Sequence, residues 1–183
     1  MAGKEGKQFE ADLESSCNDQ RIFYFRVRDV NPMALKKSFG IPKNKYDCLM
    51  YYKNYLFPME MKSVNAKSIG LKENMIKAHQ IKSLKEATKY DGVIAGFIFN
   101  FRKDENRAFF VHIDDFIKYK KCAEEGVCDI TYKNKVNKSS IPIGICEEIG
   151  IEIKNSLKQK YYRYYINNLL DELINKYHKG TVS

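Results

Sequence analysis

The chain has 183 residues, enough for one domain to bury a sizeable core, and 44% of them are hydrophobic. No apolar run approaches the ~20 residues of a membrane-spanning helix, and residues 1–7 lead into no apolar segment of the secretory type, so the expectation is a cytoplasmic protein. A formal charge of +9 favours a polyanionic partner, and five scattered cysteines without a C-x-x-C pair read as free thiols rather than a zinc site.

After a charged lead over residues 1–8, Phe9, Leu13 and Cys17 fall on one face of a short helix, with Glu10 at its beginning. Residues 22–28 read as a strand with aromatic side chains on both faces. Residues 29–45 hold Pro32, Gly40 and Pro42 among Lys36, Lys37, Lys43 and Lys45, the composition of an exposed, mobile, basic loop.

Residues 46–52 and 56–62 are rich in aromatic and aliphatic side chains, and the polar pair Lys53-Asn54 between them predicts a β-hairpin. Alternation along the second strand puts Glu60 and Lys62 on one side and Met59 and Met61 on the other. The pairing brings Asp47 beside Glu60. Two carboxylates there offer hard oxygen ligands to Mg²⁺, which keeps several waters and takes further ligands from a phosphate. Lys62 is then placed to orient or deprotonate the attacking water.

A polar loop over 63–70 leads to a helix over 72–90, in which Met75, Ile76, His79, Gln80, Leu84 and Ala87 approximate one face. The apolar run 93–99 reads as a strand covered on both sides. A further strand over 108–113 follows the polar turn 103–106, and Asp114 caps a short helix to about residue 121. Residues 124–140 read as loop, and a helix over 153–177 closes the chain. The order predicts an α/β protein, a mixed β-sheet flanked by helices with an added C-terminal helix.

Taken together, Gly6-Lys7-Gln8-Phe9-Glu10, Lys45-Tyr46-Asp47, Pro58-Met59-Glu60-Met61-Lys62-Ser63 and His79-Gln80-Ile81 resemble the RecU-type Holliday junction resolvases. The strands at Gly92-Val93-Ile94 and Phe109-Phe110-Val111 fall in that family's order, and the likeness runs from about Gly3 to Lys120. It implies a restriction-endonuclease-like fold in one nuclease domain, with a core over about 3–121 and a helical extension over about 141–178. It also implies cleavage of four-way DNA junctions by a homodimer that uses Mg²⁺ or Mn²⁺ and no small-molecule cofactor. Carried over, Asp47 and Glu60 match the metal ligands, Lys62 the catalytic lysine, Glu10 the helical glutamate that completes the site, and Gln80 the glutamine after the motif. The segment 29–45 is short for the protruding stalk the family carries before its catalytic aspartate. Lys4, Lys7, Lys36, Lys37, Lys43 and Lys45 are the candidate DNA contacts.

Other uses of the same residues stay open. Glu10 suits the first turn of any helix, where the dipole favours an acid; Gln80 could simply pack against a strand end; and His79 reads as a core or surface histidine. Residues 158–165 interleave lysine and arginine with tyrosine, as a surface stacking on nucleic acid does. Yet Tyr162, Ile166, Leu169, Leu170, Leu173 and Tyr177 also make one helical face for core or dimer packing. A duplex endonuclease of the same fold and a junction-binding protein that does not cut are the rival functions.

Overall fold

The computed structural model describes residues 4–27, 44–128 and 130–178. Lys36, Lys37 and Lys43 of the basic loop lie outside them. The first helix, α1 (Lys4–Asp19), buries Phe9, Leu13 and Cys17 as their spacing predicts. Strands β1 (Phe23–Arg26), β2 (Cys48–Tyr52) and β3 (Tyr55–Val64) then form an antiparallel meander. Lys53 and Asn54, between β2 and β3, both take positive φ, 46° and 65°, as a tight two-residue hairpin turn requires. That turn pairs Tyr52 with Tyr55 and so sets Cys48 opposite Met59.

Where a polar loop is expected over 63–70, β3 instead runs on to Val64 and β4 (Ser68–Gly70) pairs with β7 (Ser140–Pro142). The helix expected from Lys72 is also shorter: α2 spans Ala78–Ala87. Its apparent first turn closes on itself through Met75 N–H and Ile76 N–H donating to Lys72 O, and an extended Lys77 then interrupts propagation. The crossover through α2 brings β5 (Gly96–Phe101) parallel to β3, and β6 (Arg107–His112) returns antiparallel. All six residues of β5 are buried, as the apolar run predicts, although the strand begins later than the run does. A methyl group at Gly96 would meet Val111 O at 2.3 Å and the Phe110 ring at 2.6 Å, so only glycine admits this approach of β5 to β6.

The helix after β6 is capped by His112 rather than Asp114. His112 Nδ1 accepts from Asp114 N–H at 3.2 Å, and α3 (Ile113–Glu125) runs past the expected end until Gly126 turns left-handed at φ 73°. That reversal brings Cys128 back to Cys122, and the two form a disulfide. The expectation of five free thiols is thus corrected to three, Cys17, Cys48 and Cys146, all buried. Helix α4 (Ile143–Ile149) and β8 (Ile151–Ile153) follow, neither anticipated. The expected long helix from 153 resolves into a hairpin of β9 (Asn155–Leu157) and β10 (Tyr162–Tyr164), then α5 (Ile166–Tyr177). In α5, Ile166, Leu169, Leu170 and Leu173 are buried on the predicted face.

The main sheet has the order β1-β2-β3-β5-β6-β8. One face carries Met50, Phe57, Met59, Met61 and Ile98 against α1, β10 and α5. The other carries Phe97, Phe99 and Phe101 against α2, α3 and α4. No helix among the described residues is long and apolar enough to cross a membrane.

His112 makes this packing sensitive to pH. Burial, partly offset by Asp114 and Asp115, lowers its pKa below the ordinary 6.5, and its ring stacks on Tyr177 with centroids 4.3 Å apart. A histidine held neutral in the folded chain binds fewer protons there than when unfolded, so its contribution is complete above about 6.5 and declines as pH falls toward the lowered value. Because the raised pKa of Glu60 acts in the opposite sense over the same range, the His112 contribution is read as a difference: in urea unfolding at stepped pH, wild type is expected to lose stability relative to His112→Asn as pH falls below 6.5. The variant keeps a capping oxygen, so the helix start is expected to persist in it.

Candidate functional site

Because β3 alternates, Glu60 and Lys62 share the face of Phe97 and Phe99 on β5 and look toward α2, while Met59 and Met61 enter the opposite core. Lys62 Nζ donates to Glu60 Oε1 at 2.9 Å. Asp47 sits one residue before β2. Its N–H donates to Met59 O at 3.0 Å, and its Oδ2 accepts from Met61 N–H at 2.8 Å. The aspartate is therefore clamped to the strand that carries Glu60 by backbone bonds on both sides of that residue.

Gln80, buried near the start of α2, bridges the helix to the strand. Its Oε1 accepts from Lys77 N–H at 3.0 Å and its Nε2 donates to Glu60 Oε1. Glu60 is 2% exposed. Burial, then the neighbouring Asp47 charge, pushes its pKa well above the ordinary carboxylate range, with Lys62 opposing. Crowding a second carboxylate against a buried one is unfavourable unless positive charge joins them.

That surplus suits a divalent cation. Among the described residues, no group of three or more His, Cys, Asp or Glu converges to hold a metal. Two carboxylates, with water and phosphate completing the set, match the way Mg²⁺ is commonly bound.

The remaining sequence candidates fall as follows. Glu10 on α1 pairs with Arg26 at the end of β1, and Arg26 stands opposite Cys48, the neighbour of Asp47. Lys45 and Lys7 are exposed, and Lys4 begins α1. His79 is half-buried. Sequence reasoning passed over Arg26, whose only signal was a charge ending an aromatic strand, and the Met61 amide, which carries no side-chain signal at all.

A sheet of this order with helices on both faces defines a mixed α/β scaffold, and it has a solved counterpart. The structure is similar, at TM-score 0.50 and 14% identity, to the 1.6 Å structure of Hjc, a Holliday junction resolvase of the archaeal hyperthermophile Archaeoglobus fulgidus, covering 80% of this chain and 95% of that one. At this identity the likeness is one of fold. Residues 26–159 match the family described as recombination protein U, RecU, and the chain belongs to that family. It is also 54% identical over 175 residues, 96% of this chain and 89% of the relative, to the SPbeta prophage-derived uncharacterized protein YotM of Bacillus subtilis strain 168.

Proposed function

We propose that this protein is a metal-dependent endonuclease of the cytoplasm that hydrolyses phosphodiesters in branched DNA, with four-way junctions as its main substrate. The observation that carries the reading is the clamp of Asp47 beside a buried Glu60, with Lys62 and Gln80 both donating to Glu60. Membership of the RecU family and the fold shared with an archaeal resolvase support it.

Asp47 and Glu60 would hold Mg²⁺, or Mn²⁺ in its place. When bound, the ion lowers the pKa of its water and stabilises charge gathering on the scissile phosphate. Gln80 fixes the Glu60 carboxylate by using both ends of its amide, one on the Lys77 N–H just before α2 and one on Glu60 of β3. Lys62 Nζ, tied to Glu60 Oε1, stands beside the ligand pair to orient the attacking water and take part in its deprotonation. Glu10 joins this end of the sheet through Arg26.

Resolving a junction into two duplexes requires paired cuts, which a two-fold dimer with one site per subunit supplies. Phe23 and Phe25 on β1 and Tyr51 on β2, all about half exposed, share one face of the sheet and offer apolar surface for a second copy.

Incubating the protein with Mg²⁺ and, side by side, a labelled four-way junction and a linear duplex tests the reading. Symmetric cuts near the branch and little cutting of the linear duplex are expected. Equal cutting of both would assign a duplex endonuclease. Binding without cutting in either Mg²⁺ or Mn²⁺ would assign a junction-binding protein.

A further inference from the structure

The β9–β10 hairpin occupies chain that the sequence pattern assigns to a helix, and the nuclease site makes no use of it. Between Ile153 and Leu170 the chain has no acidic residue and carries Lys154, Lys158, Lys160 and Arg163. Leu157 pairs with Tyr162, leaving Lys158 to Tyr161 as the tip, closed by Lys158 N–H donating to Tyr161 O at 2.8 Å. Leu157 is 66% and Tyr161 42% exposed. Neither Lys158 nor Lys160 enters an ion pair among the described residues, whereas Lys154 is held by Glu152. The Nε of Arg163, which pairs with Ser156 in the middle of the hairpin, is buried and has no hydrogen-bond partner.

The hairpin is rigidly mounted. Asp12 Oδ2 accepts from Tyr162 N–H at 3.1 Å, Ser16 Oγ accepts from Tyr164 N–H at 2.9 Å, and Phe9 packs edge-on to Tyr164 at 5.4 Å. This register also gives direction. Moving from Ser16 to Asp12 along α1 moves from Tyr164 to Tyr162 along the hairpin, so the tip lies toward the amino end of α1. At that end Glu10 meets Arg26, in register with Cys48 and next to Asp47. The basic, aromatic tip and the carboxylate pair therefore share one end of the sheet, on the two sides of it.

We propose that the β9–β10 hairpin is a DNA-binding element, with Lys158 and Lys160 on backbone phosphates and Tyr161 stacked on a base left unpaired at a branch point. The proposal rests on the nuclease reading for its choice of ligand. An acid-free tip that joins two unpaired lysines to an exposed ring is the chemistry of groove-and-stack binding to single-stranded or unstacked nucleic acid. Leu157, exposed where β9 meets the tip, adds an apolar edge that can enter between bases. Anchorage on α1 holds the tip in place before DNA arrives, so little ordering cost is added on binding.

The test is fluorescence anisotropy with a labelled four-way junction in metal-free buffer over a range of KCl. Lys158→Ala/Lys160→Ala is expected to flatten the plot of log affinity against log salt by about 1.8, two phosphate contacts at about 0.9 each. Tyr161→Ala is expected to weaken binding about tenfold with the slope unchanged, and Tyr161→Phe to restore it, because stacking needs the ring and not the hydroxyl. Thermal melting of each variant checks that the fold persists. An unchanged slope in the lysine variant, or unchanged affinity in Tyr161→Ala, overturns the proposal while leaving the nuclease reading in place if the junction is still cut. Conversely, undiminished cutting by Glu60→Gln removes the nuclease site, and a flattened slope in the lysine variant still upholds the hairpin.

Discussion

Glu60→Gln and Asp47→Asn are each expected to lower junction cleavage by well over about 100-fold, because outer partners of metal ligands alone are worth about 10- to 100-fold. The amide that replaces the Glu60 carboxylate keeps an oxygen able to accept from Gln80 and Lys62, so the fold and metal-free DNA binding are expected to survive. Gln80→Ala removes the support of Glu60 together with the bond from Lys77 N–H at the start of α2, and is expected within that 10- to 100-fold range. Lys62→Ala is expected to lose rate with little change in the Mg²⁺ concentration needed for half-maximal cutting, as the role proposed for it on the water rather than the ion requires. Single-turnover cleavage across a Mg²⁺ titration separates the two effects. Wild-type cutting by either carboxylate variant would take Asp47 and Glu60 out of the site.

Phe116→Ala is expected to cost about 3 to 5 kcal/mol of stability, the range for emptying a buried aromatic site. Phe116 of α3 is fully buried and lies 4.6 Å from the Phe97 ring and 5.9 Å from the Phe99 ring, both on β5. These rings face the same side of the sheet as Glu60 and Lys62, so the loss would also loosen the floor of the site. Urea denaturation of the purified variant reads the difference directly. A loss below about 1 kcal/mol would mean that neighbouring side chains collapse into the space, contrary to the close ring packing.

The carboxylate site was legible in the sequence because its parts lie on one hairpin. The period of a strand is two, so Glu60-Met61-Lys62 puts the acid and the lysine on one face whatever the rest of the chain does, and a two-residue turn leaves the register little freedom. The buried β5 was legible for a similar reason, since an unbroken apolar run has few other places to go. Family motifs extended the expected roles to Gln80 and Glu10. Neither partner of those residues could be read in advance: the bond from Gln80 to Glu60 depends on where α2 begins, and that was decided by an extended Lys77.

Elsewhere local pattern and tertiary packing disagreed. Tyr162 to Tyr177 fits a helical stripe, yet Tyr162, Arg163 and Tyr164 form a strand because Asp12 and Ser16 of α1, about 150 residues earlier, accept their backbone N–H groups. Cys122 and Cys128 looked unpaired by spacing, and only the left-handed turn at Gly126 brings them together. His112 displaced Asp114 as cap because β6 delivers it in extended conformation at the point where the helix begins. Alternation, turn chemistry and apolar runs are local, and the sequence by itself determined whatever rests on them, the β2–β3 hairpin that carries Asp47, Glu60 and Lys62 above all. The hairpin at β9–β10, the disulfide and the mounting of Glu60 depend on partners distant in the chain, and only the assembled core, by bringing those partners within bonding reach, decided them.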